Sequence, residues 1–330
     1  MAQATQLPDR TQVTAFAVVA GGLGALMLAL RTLDIGSIAG VQNFLLVFSS
    51  LLIEAVPFVL LGAVVAAAIE VLVPTSFMER LAALPGPLQL PASALAGVAF
   101  PVCECGSVPV ARRLAAKGLS PAAAVTFMLA APILNPIVIA STAIAYRGRD
   151  SMWLMVGGRA ILGLVAAIAV GWVVAGRKGP SIVRLGPDRE VSHVPHRGKA
   201  EAFFSHLSGD FIFMGRYLVL GAAVAAALQT FVPQTVLGSV ADSPVVALVS
   251  MMGLAFLLSL CSESDAFVAA SFVQFGSAAQ LAFLVFGPMV DTKLGFLYSA
   301  TFKRGFLPTV VVVVGGVTLV GTLWIEIIFG

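Results

Sequence analysis

Apolar runs of about 20 residues or more follow one another along almost the whole chain, separated by short polar turns. An α-helix rises about 1.5 Å per residue, so about 20 apolar residues cross a hydrocarbon core of about 30 Å. The pattern predicts spans over residues 13–31, 42–73, 89–116, 119–146, 152–176, 209–232, 244–273, 277–300 and 306–328. Alternating ten-residue strands, the mark of a membrane barrel, do not occur. The expected fold is therefore an all-α polytopic membrane protein with about nine transmembrane segments. Residues 14–30 read as a retained first span, because neither a positive leader nor a small-residue cleavage site precedes Arg31.

The long polar stretch is 177–208, which sets Arg177, Lys178, Arg184, Arg189, Arg197 and Lys199 against Asp188, Glu190 and Glu201. The excess of basic residues predicts a cytoplasmic loop. Nine spans would then put the C-terminus inside, the N-terminus outside, and Lys303 and Arg304 on the outer face. His193, His196 and His206 lie in or beside this loop and read as solvated rather than as metal ligands. Its charge also suits anionic lipid headgroups.

The pattern repeats. "LLGAVVAAAIEVLVP" (60–74) matches "VLGAAVAAALQTFVP" (219–233) at nine of fifteen positions, a displacement of 159. With small slips the register continues: Cys103 pairs with Cys261, Gly118 with Gly276, Pro132 with Pro288, and Asn135 with Asp291. The expected organisation is an extra N-terminal transmembrane helix (1–41), a first repeat (42–176), the basic loop (177–208) and a second repeat (209–330). Duplicated halves are a common transporter design.

The middle segments of each repeat are irregular: "FPVCECGSVP" and "AAPILNPIV" in the first, "LCSESDAF" and "FGPMVDTKLG" in the second. Pro101, Pro109, Pro132 and Pro136, with Gly106, should break or kink these helices. Broken backbone at membrane depth is tolerated where it is buried in protein or lines a cavity, so breaks at matching places predict one midplane site.

Composition supports this picture: 59% of the 330 residues are hydrophobic and 11% charged, against about a quarter charged in soluble domains. The ionisable residues inside apolar runs therefore carry weight. Glu104, Glu263, Asp265, Asp291 and Lys293, with Asn135, Ser262 and Ser264, cluster at the breaks, although residues near a span end can simply be solvated. Asp291 and Lys293 are spaced to neutralise each other. Glu54 sits mid-helix and is the candidate proton carrier; Arg216 lies near the corresponding place in the second repeat, either as its ion-pair partner or reaching to the membrane surface.

All three cysteines fall at the two symmetry-related breaks. In extended backbone Cys103 and Cys105 point to one side and Glu104 to the other, so both sulfurs can reach one ligand. A bridge across a single residue is strained, which favours a ligand or redox role. Thiolates select soft partners such as trivalent arsenic, monovalent copper, zinc or cadmium, and Cys261 is a candidate third sulfur.

"FPVCECGSVPVARRLAAKGLSPAAAVTFMLAAPILNPIV", "VLGAAVAAALQTFVP", and "LCSESDAFVAASF" followed by "VDTKLG" resemble the bacterial predicted-permease family that includes the ArsP-type organoarsenical efflux permeases, in the branch with "CSESDAF". The likeness runs from about residue 42. It implies a permease of the bacterial inner membrane, and binding of trivalent organoarsenicals by Cys103 and Cys105, with Cys261 the candidate third.

No H-E-x-x-H, G-x-S-x-G or P-loop motif occurs, so hydrolytic enzymes are not indicated and ATP is not the direct energy source. The expected function is secondary transport of a soft metal ion, metalloid or organometalloid by Cys103, Glu104, Cys105, Asn135, Cys261, Glu263, Asp265 and Asp291. Alternatives are a membrane thiol–disulfide redox protein and a channel-like subunit of a multi-component permease. No cofactor and no nucleic-acid partner are expected; a second copy of the chain or a second permease subunit is.

Overall fold

A computed structural model describes residues 39–74, 85–100, 102–176, 198–231 and 244–329. The expected first span (13–31), Pro101 and most of the basic stretch, with His193 and His196, lie outside the described residues.

The described chain is helical. The first set of elements is α1 (Ala39–Leu72), α2 (Gly86–Ala96), a 3-10 turn (Gly97–Ala99), α3 (Glu104–Ala116), α4 (Pro121–Leu134), α5 (Pro136–Ala145) and α6 (Met152–Gly176). The second is α7 (Lys199–Phe231), α8 (Pro244–Leu258), α9 (Asp265–Ser271), α10 (Ser277–Phe286), α11 (Thr292–Thr301) and α12 (Phe306–Phe329). Helix α7 begins at Lys199, so residues expected in the loop up to 208 are helical, and buried His206 belongs to this helix.

Two expected spans do not cross. Ser120 at the start of α4 donates a 2.7 Å hydrogen bond to Gln89 early in α2, and a Cβ on Gly97 would stand 2.7 Å from the Cα of Ala131 late in α4. Helices α2 and α4 thus run side by side in the same direction. Helix α3 leads into α4 through a tight turn at Gly118 (φ 103°), so it runs the opposite way. Segment 89–116 is a helical hairpin that returns to the face it entered. The second set does the same: Gly287 after α10 packs on Ala255 late in α8, and α9 turns back through residues 272–276 into α10. Hydropathy reads such a hairpin as a span because its first arm is apolar and the pattern does not show where the chain turns back.

The other segments cross. Helix α6 returns along α5 and then α4, with Arg159 against Thr142, Gly163 against Ile133 and Gly171 against Thr126. Helix α12 returns likewise along α11 and α10, with Phe306 on Tyr298, Gly315 near Phe286 and Gly276 near Glu326. The crossings are α1, α4–α5, α6, α7, α10–α11 and α12, of which all but the broken α10–α11 are long and apolar enough by themselves.

Three crossings per set mean that the second set starts on the opposite face. The packing of the long helices agrees. Phe48 and Leu51 near the start of α1 pack on Ala222, Ala225 and Ala226 near the end of α7. Glu70 and Val71 at the other end of α1 line one open surface pocket with Lys199, Ala202 and His206 at the start of α7. The two sets therefore run in inverted senses. One consequence corrects an expectation: Lys303 and Arg304, after α11, lie on the face where α3 ends at Lys117 and α7 begins at Lys199, the face flanking the basic stretch. Helix α12 ends on the opposite face.

The prolines divide. Pro136 opens α5 and sits at a true break, whereas Pro109 and Pro132 are carried inside α3 and α4.

Candidate substrate site

Three of the breaks are built by a cap. Cys103 is extended (φ −74°, ψ 176°) and its Sγ accepts from the Gly106 N–H at 3.4 Å, which starts α3 at Glu104. Asn135 Oδ1 accepts from Ile137 N at 3.0 Å and starts α5; Asp291 Oδ1 accepts from Leu294 N at 2.6 Å and starts α11. These caps satisfy backbone donors that helix starts leave free. The equivalence of Asn135 with Asp291 is thus structural as well as sequential. In the second hairpin Ser259 takes a left-handed conformation (φ 48°), held by its Oγ, which accepts from Thr292 N at 3.0 Å and donates to Phe256 O at 3.1 Å. Non-glycine residues adopt this region at a cost when surrounding structure demands it, and such outliers cluster at functional sites.

Close backbone approach brings the tips into place. A Cβ on Gly62 would stand 2.3 Å from the Cα of Gly106, so glycine at both positions lets α1 lie directly on the first turn of α3. Helix α3 has 13 residues, which sets its start about 20 Å from its end at Ala116, at about 1.5 Å per residue.

At the start of α3 the tips of the two hairpins meet. One sulfur from Cys103, one carboxylate oxygen of Glu104 and the sulfur of Cys261 lie within 4.8 Å of one another, all buried. Glu104 Oε2 accepts from Ser262 Oγ at 2.9 Å and from Ser262 N at 3.4 Å, and stands 3.9 Å from Cys261 Sγ. The Cys261 thiol donates to Glu263 Oε2 at 2.6 Å. The other oxygen of Glu104, Oε1, is buried without a hydrogen-bond partner. Two sulfurs and a carboxylate converging in a buried place can hold a soft or borderline cation.

This geometry departs from the expectation for Cys-x-Cys. Because α3 begins at Glu104, Cys105 sits in its first turn while Cys103 is the extended cap before it, so the two do not share one side of a strand. Cys105 is not among the converging donors and lies within Coulombic reach of Lys293 and Asp291. Glu104, expected to point away, turns in. The Glu54–Arg216 ion pair is not formed either: Arg216 is exposed on α7, and Glu54 Oε1 accepts from Ser264 Oγ at 2.6 Å, which ties α1 to the second tip. Asp291 and Lys293 face each other loosely, at 4.0 Å.

Asp265 has a partner the sequence reading missed. Arg159, fully buried on α6, donates to Asp265 Oδ1 at 2.8 Å and Oδ2 at 2.7 Å, to Thr142 Oγ1 at 3.0 Å and to the Ser262 carbonyl at 3.2 Å. One guanidinium thus holds α5, α6 and the second tip together, using the bidentate geometry that arginine matches to a carboxylate. A lone cation inside the apolar run "LMVGGRAILGL" was the signal for it. A second buried pair joins the halves nearer the basic face: Arg113 bonds both oxygens of Asp210 at 3.1 Å, and Arg112 lies over the Phe213 ring at 5.0 Å.

Comparison with known proteins decides the family. The family model described as "Predicted permease" (ArsP_1) matches residues 40–327. The chain belongs to this family. The permease is 40% identical over 285 residues to the UPF0718 protein YcgR of Bacillus subtilis (strain 168), covering 85% of this chain and 96% of that one. It is 34% identical over 274 residues to a putative two-component membrane permease complex subunit of Streptococcus mutans serotype c, covering 82% and 90% respectively. No solved structure matches. Family and helices together make this a multi-pass membrane permease, as expected of a bacterial inner-membrane protein.

Proposed function

We propose that the permease moves a soft or borderline metal cation, or a metalloid of the same preference, through the site formed by Cys103, Glu104 and Cys261. The observation that carries this reading is the convergence of two sulfurs and a carboxylate, buried, at the junction of two hairpin tips. Thiolates favour thiophilic species, and the carboxylate widens the choice to zinc and cadmium. Glu263, which accepts from the Cys261 thiol, stands beside this set. Asp265 acts through Arg159 to hold the tip, and Cys105, Asn135 and Asp291 form the surrounding wall. Glu54, bonded to Ser264 on the same tip, is the candidate for proton coupling. Rocking of one inverted half against the other would expose the junction to each face in turn, by analogy with other duplicated transporters. The name of the Streptococcus mutans relative makes a second subunit a natural partner.

The test is elemental analysis of cells expressing the wild type or Cys103→Ser/Cys261→Ser after exposure to trivalent arsenicals, copper, zinc and cadmium. Lower content of one element in wild-type cells identifies an exporter, and higher content an importer. Equal content across the panel would remove the reading. One observation favours a redox alternative: the Cys103 and Cys261 thiols are close enough for exchange chemistry. Trapping a mixed disulfide with a second protein through either cysteine would support it.

A further inference from the structure

Around the two tips stand five carboxylates, Glu54, Glu104, Glu263, Asp265 and Asp291, and two cations, Arg159 and Lys293. Arg159 is committed to Asp265 through two short hydrogen bonds. Lys293 is different. It is the second residue of α11 and 2% exposed, yet its ion pair with Asp291 is 4.0 Å long, beyond a hydrogen bond, and Asp291 Oδ2 has no hydrogen-bond partner. Its ammonium lies within Coulombic reach of Asp291, Cys105, Glu104 and Cys261. A Cβ on Gly221 would stand 2.8 Å from the Lys293 Cα, so α7 presses on the backbone here and fixes where the side chain starts.

We infer that Lys293 is a tethered counter-ion, which supplies the positive charge of the substrate site when no cargo is bound and yields that role to the incoming cation. The inference rests on the reading of the cargo as a cation. A buried carboxylate without a compensating charge is costly, and a site that must be empty in half of each transport cycle needs its compensation built in. A long, flexible ammonium attached loosely to one carboxylate does this, whereas a guanidinium locked by four hydrogen bonds does not. Lys293 therefore competes with the cargo. The competition keeps a soft cation from being held so tightly by two sulfurs that it is never released.

The experiment measures cadmium binding by the purified full-length protein, read from the ultraviolet charge-transfer absorbance of cadmium–thiolate bonds. Relative to wild type, Lys293→Met should bind Cd²⁺ more tightly, by about tenfold or more, because a like charge acting on a divalent ion is removed from a buried site. In proteoliposomes the same variant should exchange Cd²⁺ more slowly, because release is impeded. Lys293→Arg restores the charge and should return the Kd toward that of the wild type; Lys293→Gln serves as a second neutral variant should Lys293→Met lose its thermal transition. Unchanged or weaker Cd²⁺ binding by both folded neutral variants would overturn the inference alone. No thiolate signal in wild type, or one that Cys103→Ser/Cys261→Ser leaves intact, would remove the cation reading and this inference with it.

Discussion

Replacing Arg159 by methionine keeps most of the side-chain volume and removes the guanidinium, which leaves Asp265 with 3% exposure and without its charged partner. For charge centres about 4 Å apart at an effective dielectric of about 20 the pair interacts by about 4 kcal/mol. The hydrogen bonds to Thr142 Oγ1 and the Ser262 carbonyl add about 0.5–1.5 kcal/mol each. Desolvation already opposes part of this in the native protein, so the expected loss for Arg159→Met is about 3–5 kcal/mol, the range for breaking one side of a buried pair. Asp265→Asn alone should cost less, since arginine keeps its bonds to Ser262 and Thr142. The double variant Arg159→Met/Asp265→Asn should recover about 2 kcal/mol or more of the summed single losses, because it buries no unpaired charge. The assay is unfolding of the detergent-solubilised protein by denaturant, with the four proteins of the cycle compared in one buffer. Additivity within about 0.5 kcal/mol, or a loss below about 1 kcal/mol for Arg159→Met, would refute the argument that this pair holds the second tip.

Two further outcomes follow from the same geometry. Gly62→Ala places a methyl group 2.3 Å from the Gly106 Cα and must drive α1 from α3; it should destabilise by about 1–3 kcal/mol and weaken Cd²⁺ binding, whereas Gly215→Ala, with open space around its Cβ, should do neither. Glu54→Gln keeps an oxygen for Ser264 to donate to, so Cd²⁺ binding should survive while flux loses its response to an imposed pH gradient; a retained response would make Glu54 structural.

What the sequence reveals about this molecule follows from what each signal measures. Residue matches at a displacement of 159 locate the duplicated elements, and the later equivalence of Asn135 and Asp291 survives as a pair of helix caps. The direction of travel after a break is not legible. An apolar segment of about 28 residues interrupted near its middle reads the same whether it crosses or folds back, and only contacts such as Ser120 with Gln89 distinguish the two. That ambiguity turned six crossings in the described residues into eight expected spans, and it put Lys303 and Arg304 on the wrong face. Cys103 and Cys261 were found because sulfur is scarce here. Cys105 was misdirected because the reading assumed extended backbone where a helix starts, a boundary that shifts a side chain by about 100° per residue. Arg159 was missed because its meaning lies in a partner 106 positions away.

The division of the donors between the two hairpins bears on how such a chain can have arisen. In a half-length ancestor, the residue beside the cysteine at one tip would meet its own copy across the axis, once two molecules had inserted in opposite orientations. A glutamate there would face a glutamate, at hydrogen-bonding distance and out of water. Two copies within one chain are free to differ. The register that pairs Cys103 with Cys261 pairs Glu104 with Ser262, and these two are now bonded to each other, acid in one copy and hydroxyl in the other, at 2.9 Å.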